Sequence, residues 1–198
     1  MSLIRNVVLG NRPRLPRLEF KYAMLRGEFA MIIIAVGLFY IGLDSFNRVY
    51  VFLPWYILMI ILSVISMAFN RWRRYALSNI VIVFIVNFIV FLFADVDHPF
   101  GGVYFYFIAS SMAGLILFSH SKPKAGLFFA LLPIGLGFMA FFGDLDLLPP
   151  PLYIGDVVKI NFISNFTIGL LSVIFMLQFL LSQNRESEQS LVEQNELL

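Results

Sequence analysis

Residues 70–102 read NRWRRYALSNIVIVFIVNFIVFLFADVDHPFGG. Three arginines lead into an apolar run from about Ser78 to Ala94, and Asp95 and Asp97 close it. A helix rises about 1.5 Å per residue, so a run of this size approaches the roughly 30 Å of a bilayer's hydrocarbon core. Inside that core every backbone N–H and C=O needs a partner within the protein, which a helix supplies. The stretch reads as a transmembrane helix with one basic and one acidic end.

Working outward, five more runs have the same character: roughly Phe29 to Leu43 with Gly27 and Glu28 at its mouth, Val49 to Phe69, Gly102 to Phe118, Ala125 to Phe142, and Asn161 to Leu181. The totals agree. A chain of 198 residues that is 60% hydrophobic and 13% charged, with mean hydropathy +0.88, has too little polar surface to cover a water-soluble core. The expected fold is all-α: a polytopic membrane protein of six helices, its last helix continuing beyond the bilayer. Residues 1–26 form a basic arm, 27–181 a six-helix transmembrane domain, and 182–198 a polar helical continuation or the start of a coiled coil.

Charge sorts by side. With the N-terminus cytoplasmic, Arg5, Arg12, Arg14, Arg17, Lys21 and Arg26 lie inside, as do Arg71, Arg73, Arg74, Lys122, Lys124 and Arg185. Only Arg48 and Lys159 fall outside, while every Asp falls outside and every Glu inside. This is the positive-inside pattern, and it puts both termini in the cytoplasm. The net charge of +2 therefore reflects topology, and no nucleic-acid partner is expected. The arm is too basic and too broken by Pro13 and Pro16 to be a signal-peptide core. There is no Cys, which removes disulfides and thiolate metal sites.

Chemistry within the spans is sparse. Neither His98 nor His120 lies at the depth of a Ser, no Lys lies in a span, and no carboxylate sits at mid-membrane, so no catalytic residue is assigned. The deep polar residues are neutral: Ser63, Ser66, Asn87, Ser110, Ser111, the NFISNFT segment Asn161–Thr167, and Gln178. Interhelical hydrogen bonding accounts for such residues, with Asn87 and Asn165 kept as candidates for signal binding. At the outer face, Asp95, Asp97, His98, Asp144 and Asp146 form a second candidate cluster. Its spacing lacks the order of a known metal loop, so no metal is assigned and solvated loop ends explain it as well. Gly114 and the Gly135–Gly137 pair permit close helix approach, and Pro133 should bend the fifth helix.

The tail, LLSQNRESEQSLVEQNELL at residues 180–198, has neither Gly nor Pro. Leu177, Asn184, Leu191 and Leu198 recur at heptad spacing, which admits either a parallel coiled coil or a solvated helix stub. Six aromatic-rich spans, a basic arm and a tail ending ESEQSLVEQNELL resemble the N-terminal sensor regions of bacterial membrane-bound sensor histidine kinases. The resemblance implies an input module in the bacterial cytoplasmic (inner) membrane, a parallel homodimer, and a signal passed along Asn184, Leu191 and Leu198. It further implies a kinase domain outside these residues, which would use ATP and Mg and act on a response regulator; no cofactor is expected here. Similar modules precede nucleotide cyclases, and a small transporter or channel, or a membrane anchor, is the alternative from another class.

Overall fold

The computed structural model describes residues 8, 17–97, 101–119, 122–143, 145–151 and 156–196. These form six α-helices, with no strand among the described residues: α1 Arg17–Phe46, α2 Leu53–Arg71, α3 Tyr75–Val96, α4 Phe105–Ser119, α5 Pro123–Gly143 and α6 Val157–Glu196. Five are long and apolar enough to cross a membrane, and the chain is a polytopic membrane protein. The shorter α4, of 15 residues, is also apolar.

Connections of three to eight residues join α1 through α5 and thirteen residues join α5 to α6; successive helices that cross a membrane alternate in direction. Arg48 and Arg73 take left-handed backbone angles, φ 60° and 59°, and turn the chain from α1 into α2 and from α2 into α3. Pro54 stands in the first turn of α2, where its missing N–H leaves no helical bond unmade. One end of the bundle thus collects the aspartate-rich loops and the other the Arg71–Arg74 and Lys122–Lys124 turns. These are the acidic and basic ends below.

Two helices outrun their apolar cores. α1 starts at Arg17, well before Phe29, because the lower segment is held by packing: Ala23 and Leu25 are buried, and Val8 lies so close to Gly27 that any Cβ there would collide with it. Arg26, read from the sequence as the last residue of the basic cytoplasmic arm, is buried. Its Nε donates to Asn70 Oδ1 at 2.9 Å and its guanidinium lies 4.3 Å from the centre of the Tyr75 ring. Asn70 in turn donates to Ala23 O at 2.8 Å, so α1, α2 and the start of α3 are tied at the basic end. α6 is one helix of 40 residues, about 60 Å long, of which Val157–Ser182 is membrane-spanning in character.

α1, α2, α3, α4 and α6 surround the bundle axis; α5 packs outside them against α3 and α4. The α4–α5 crossing is close because Gly114 has no side chain: a Cβ there would come within 2.6 Å of Phe129 O. Gly137 similarly meets the Phe107 ring, whereas Gly135 faces open space. Buried Pro133 interrupts no part of α5, which remains continuous from Pro123 to Gly143. The outward faces carry Leu127, Phe128, Leu131 and Phe138, more than half exposed, as lipid-facing residues should be.

Candidate functional site

Polar residues four apart on a helix share a face. Tyr40 and Asp44 do so on α1, Tyr106 and Ser110 on α4, and Asn161 and Asn165 on α6. All three pairs turn towards the axis near the acidic end, joined by Tyr56 from α2 and Asp97 from the end of α3, and all of them line one cavity.

Their hydrogen bonds bind the helices together. Tyr40 OH donates to Asn165 Oδ1 at 2.5 Å, Asn165 Nδ2 donates to Gly101 O at 2.7 Å, and the Tyr40 and Tyr106 hydroxyls lie 3.3 Å apart. Tyr56 OH donates to Asp44 Oδ2 at 2.8 Å, and the Tyr56 ring stacks on Tyr40 with centroids 5.7 Å apart. Asn165 also accounts for the short α4. Gly101 and Gly102 fold in against α6 before the helix begins, and the carbonyl this brings into the protein interior is satisfied by the amide. Gly102 has φ +80°, and a Cβ would lie 3.3 Å from Phe162 Cα, so this approach needs glycine. At Gly101 a Cβ would strike the Asp97 carboxylate.

The cavity has a volume of about 140 Å³. Its wall reaches from Asp44 to Phe29 on α1, from Asp97 to Ile82 on α3 and from Asn161 to Met176 on α6. Each stretch rises about 22 Å, so three helices give the same depth. Below the polar end the lining is apolar, with Ile33, Val36, Ile89 and Ile168, except for Ser172, whose hydroxyl donates to Ile168 O at 2.8 Å within its own helix. It closes towards the basic end on the cluster of Leu25, Phe29, Ile82 and Met176. Among the described residues, no Lys, Arg or His lines it.

Two polar atoms in this wall have no hydrogen-bond partner among the described residues: Ser110 Oγ and Asn161 Oδ1, on side chains 1% and 6% exposed. Buried polar groups are nearly always paired, and leaving one unpaired costs about 1–3 kcal/mol.

Of the residues singled out in the sequence, Asn165 sits at the centre of the network and Asp97 in the cavity wall. Asp95 is engaged elsewhere: its carboxylate accepts the Leu145 and Leu147 N–H groups at 3.3 and 3.0 Å, tying the loop after α5 to the end of α3. Asp146 lies in that loop with φ 49°. His98 and Asp144 are outside the described residues, among which no group of three His, Asp or Glu approaches a metal-binding arrangement. Asn87 is buried but away from the cavity, donating to Val83 O of its own helix at 2.8 Å. Asn184 and Leu191 lie on α6 beyond the membrane-spanning part, and Leu198 is outside the described residues.

Comparison with protein families, with characterised proteins and with solved structures finds no match to this chain. The site is therefore read from its own chemistry. The composition of the spans had indicated only neutral polar groups at depth, yet Asp44 is 2% exposed and Asp97 7%. What makes this tenable is local: the Tyr56 hydroxyl on Asp44 and the cover provided by residues 101–104. Tyr40, Asp44, Tyr56 and Tyr106 were missed by sequence reasoning. The repeated four-residue spacing of polar residues at the acidic ends of three helices was the signal that pointed to them.

Proposed function

We propose that the chain is the signal-input module of a bacterial membrane sensor of the two-component histidine kinase type. It would sit as a parallel dimer in the cytoplasmic membrane, with α6 passing the state of the cavity to a kinase domain that uses ATP and Mg and serves a response regulator. One observation carries the reading: α6 is both a cavity wall, through Asn161, Asn165, Ile168 and Ser172, and a continuous helix to Glu196, about 14 residues beyond its membrane-spanning part. An occupant that favours one placement of Asn165 against Tyr40 changes the relative free energy of α6 positions, which is the requirement for a switch.

The transporter or channel alternative receives less support, because the cavity ends on a packed apolar cluster and gives no path to the basic end. A nucleotide cyclase output would use the same input.

The test is a chimera in which residues 1–198 are joined, in continuous helix, to the catalytic core of a histidine kinase lacking its own input. Autophosphorylation in membrane vesicles should alternate as one to four residues are inserted after Ser182, since each turns the helix by about 100°, and it should change with Asn165→Leu. Activity indifferent to both changes would refute the reading. Cys at positions 184 and 191 should give disulfide-linked dimers in the same membranes; a uniformly monomeric chain would refute the dimer.

A further inference from the structure

The cavity is not sealed on every side. Around the axis α1 packs on α2, α2 on α3, α3 on α4 and α4 on α6; α6 and α1, which complete the ring, are not closely packed on one another among the described residues. Side chains bridge them at two levels. Near the acidic end Tyr40 donates to Asn165, and near the basic end the Phe29 and Tyr22 rings meet Phe175 and Phe179 edge to face, with centroids 6.2 and 6.1 Å apart. Between these levels stand Ile32 and Val36 on α1 and Ile168 and Ser172 on α6, all half-buried and all lining the cavity.

The depth of this seam decides what can pass through it. Residues 32–36 lie at the middle of the Glu19–Phe46 span and residues 168–172 at the middle of Val157–Ser182. The seam therefore faces the hydrocarbon core of the bilayer and not its headgroups. Ser172 donates its hydroxyl proton to Ile168 O within its own helix, so it asks nothing of a visitor, and its neighbours at the seam are aliphatic. Behind the seam the wall is Val86 and Ile89 on α3 and Ala109 and Ala113 on α4.

The volume of about 140 Å³ is close to that of an apolar protein cavity of roughly 150 Å³ that stays dry and takes up benzene. Atoms lining such a space lack neighbours on one side, and hydrocarbon entering it restores those dispersion contacts. Coming from the bilayer, it has no polar group to desolvate on the way.

We infer that the cavity takes up hydrocarbon from the bilayer core, an uncharged alkyl segment of about six to eight carbons, sideways between α1 and α6. The segment lies against Val36, Ile89, Ala113 and Ile168. Binding there makes no demand on the polar groups at the acidic end. It is also independent of what α6 drives, so it is measured without any kinase. A lipid's own acyl chain and a free hydrocarbon share this chemistry, and two probes tell them apart.

The full chain is placed in phosphatidylcholine nanodiscs with either a phosphatidylcholine bearing a diazirine at the middle of one acyl chain or a diazirine-bearing octane, and photolabelled residues are mapped by mass spectrometry. Label is expected on buried Ile89 and Ala113 as well as on lipid-facing Leu127 and Phe128. Cavity label by the lipid probe makes the occupant an acyl chain; cavity label by the octane probe alone makes it a free molecule. Ala113→Phe, which fills the cavity, and Val36→Trp, which plugs the seam, should each cut the label on Ile89 by about tenfold or more. Leu38→Trp, on the lipid-facing side of α1, should leave it unchanged. Helicity and nanodisc incorporation check the folding of each variant; Ala113→Leu replaces Ala113→Phe, and Ile32→Trp replaces Val36→Trp, where the first choice does not fold. Absence of label on Ile89 and Ala113 with both probes, or label on Ile89 unmoved by a folded filling variant, would overturn the site. Label unmoved by a folded seam variant, or cut equally by Leu38→Trp, would overturn the entry between α1 and α6.

Discussion

Asn165→Leu and Asn87→Leu make the same chemical change at two buried asparagines, 4% and 3% exposed, yet should have opposite consequences. Asn165 joins α6 to α1 through Tyr40 and to the 101–104 segment through Gly101 O. Leucine removes both bonds. Interhelical hydrogen bonds in membranes are worth about 0.6 kcal/mol on average and up to about 1.7, so two give roughly 1–3 kcal/mol. The Gly101 carbonyl is left inside the protein without the amide, which places the cost towards the upper end. Asn87 contributes a single bond to its own helix, and its Oδ1 has no partner among the described residues. Replacing it removes an unsatisfied atom, and the change should lie within about 0.5 kcal/mol of zero or be stabilising. Reversible unfolding in mixed dodecylmaltoside and dodecyl sulfate micelles, followed by far-ultraviolet circular dichroism, measures the difference directly. Equal destabilisation by the two substitutions, or a larger loss at Asn87, would refute the account of the network.

Three further outcomes follow from the packing. Gly114→Leu should abolish the close α4–α5 contact and sharply lower the yield of monodisperse protein in size-exclusion chromatography, while Gly135→Leu, with nothing within 4 Å of its Cβ position, should leave the profile unchanged. Arg26→Ala should destabilise by about 2–4 kcal/mol in the same unfolding assay, from the lost charged hydrogen bond to Asn70 and the cation–π contact with Tyr75; Arg26→Lys should recover part of this. Asp95→Ala should release the loop around Leu145–Leu147 and raise its rate of chymotryptic cleavage in nanodiscs several-fold, with Asp95→Asn between the two.

The number and order of the helices were legible because each is written as an apolar run, and all but the shorter α4 are long enough to cross a membrane. The α6 extension was legible from the absence of Gly and Pro between Leu177 and Leu198. Helix starts were less so. Glu19, Lys21 and Arg26 interrupt the hydropathy of α1, and only contacts from Val8, Asn70 and Tyr75, distant in sequence, show why those turns are helical and buried. The site was half visible for the same reason. Asn165 stands out as an amide in an apolar run, whereas Asp44 at a span's end looks like a solvated loop carboxylate until Tyr56 is brought over it. Asp95 and Asp97 are two residues apart, yet one fastens a loop and the other faces the cavity; local composition does not distinguish them.

The length of α6 has a mechanical consequence. From Asn165 in the cavity wall to Glu196 the helix is unbroken, an arm of about 46 Å. Pivoting it by about 5° at the cavity sweeps its far end through roughly 4 Å, about three-quarters of the rise of one helical turn. An angular change too small to disturb the Tyr40–Asn165 bond thus becomes a displacement as large as a side chain at the other end.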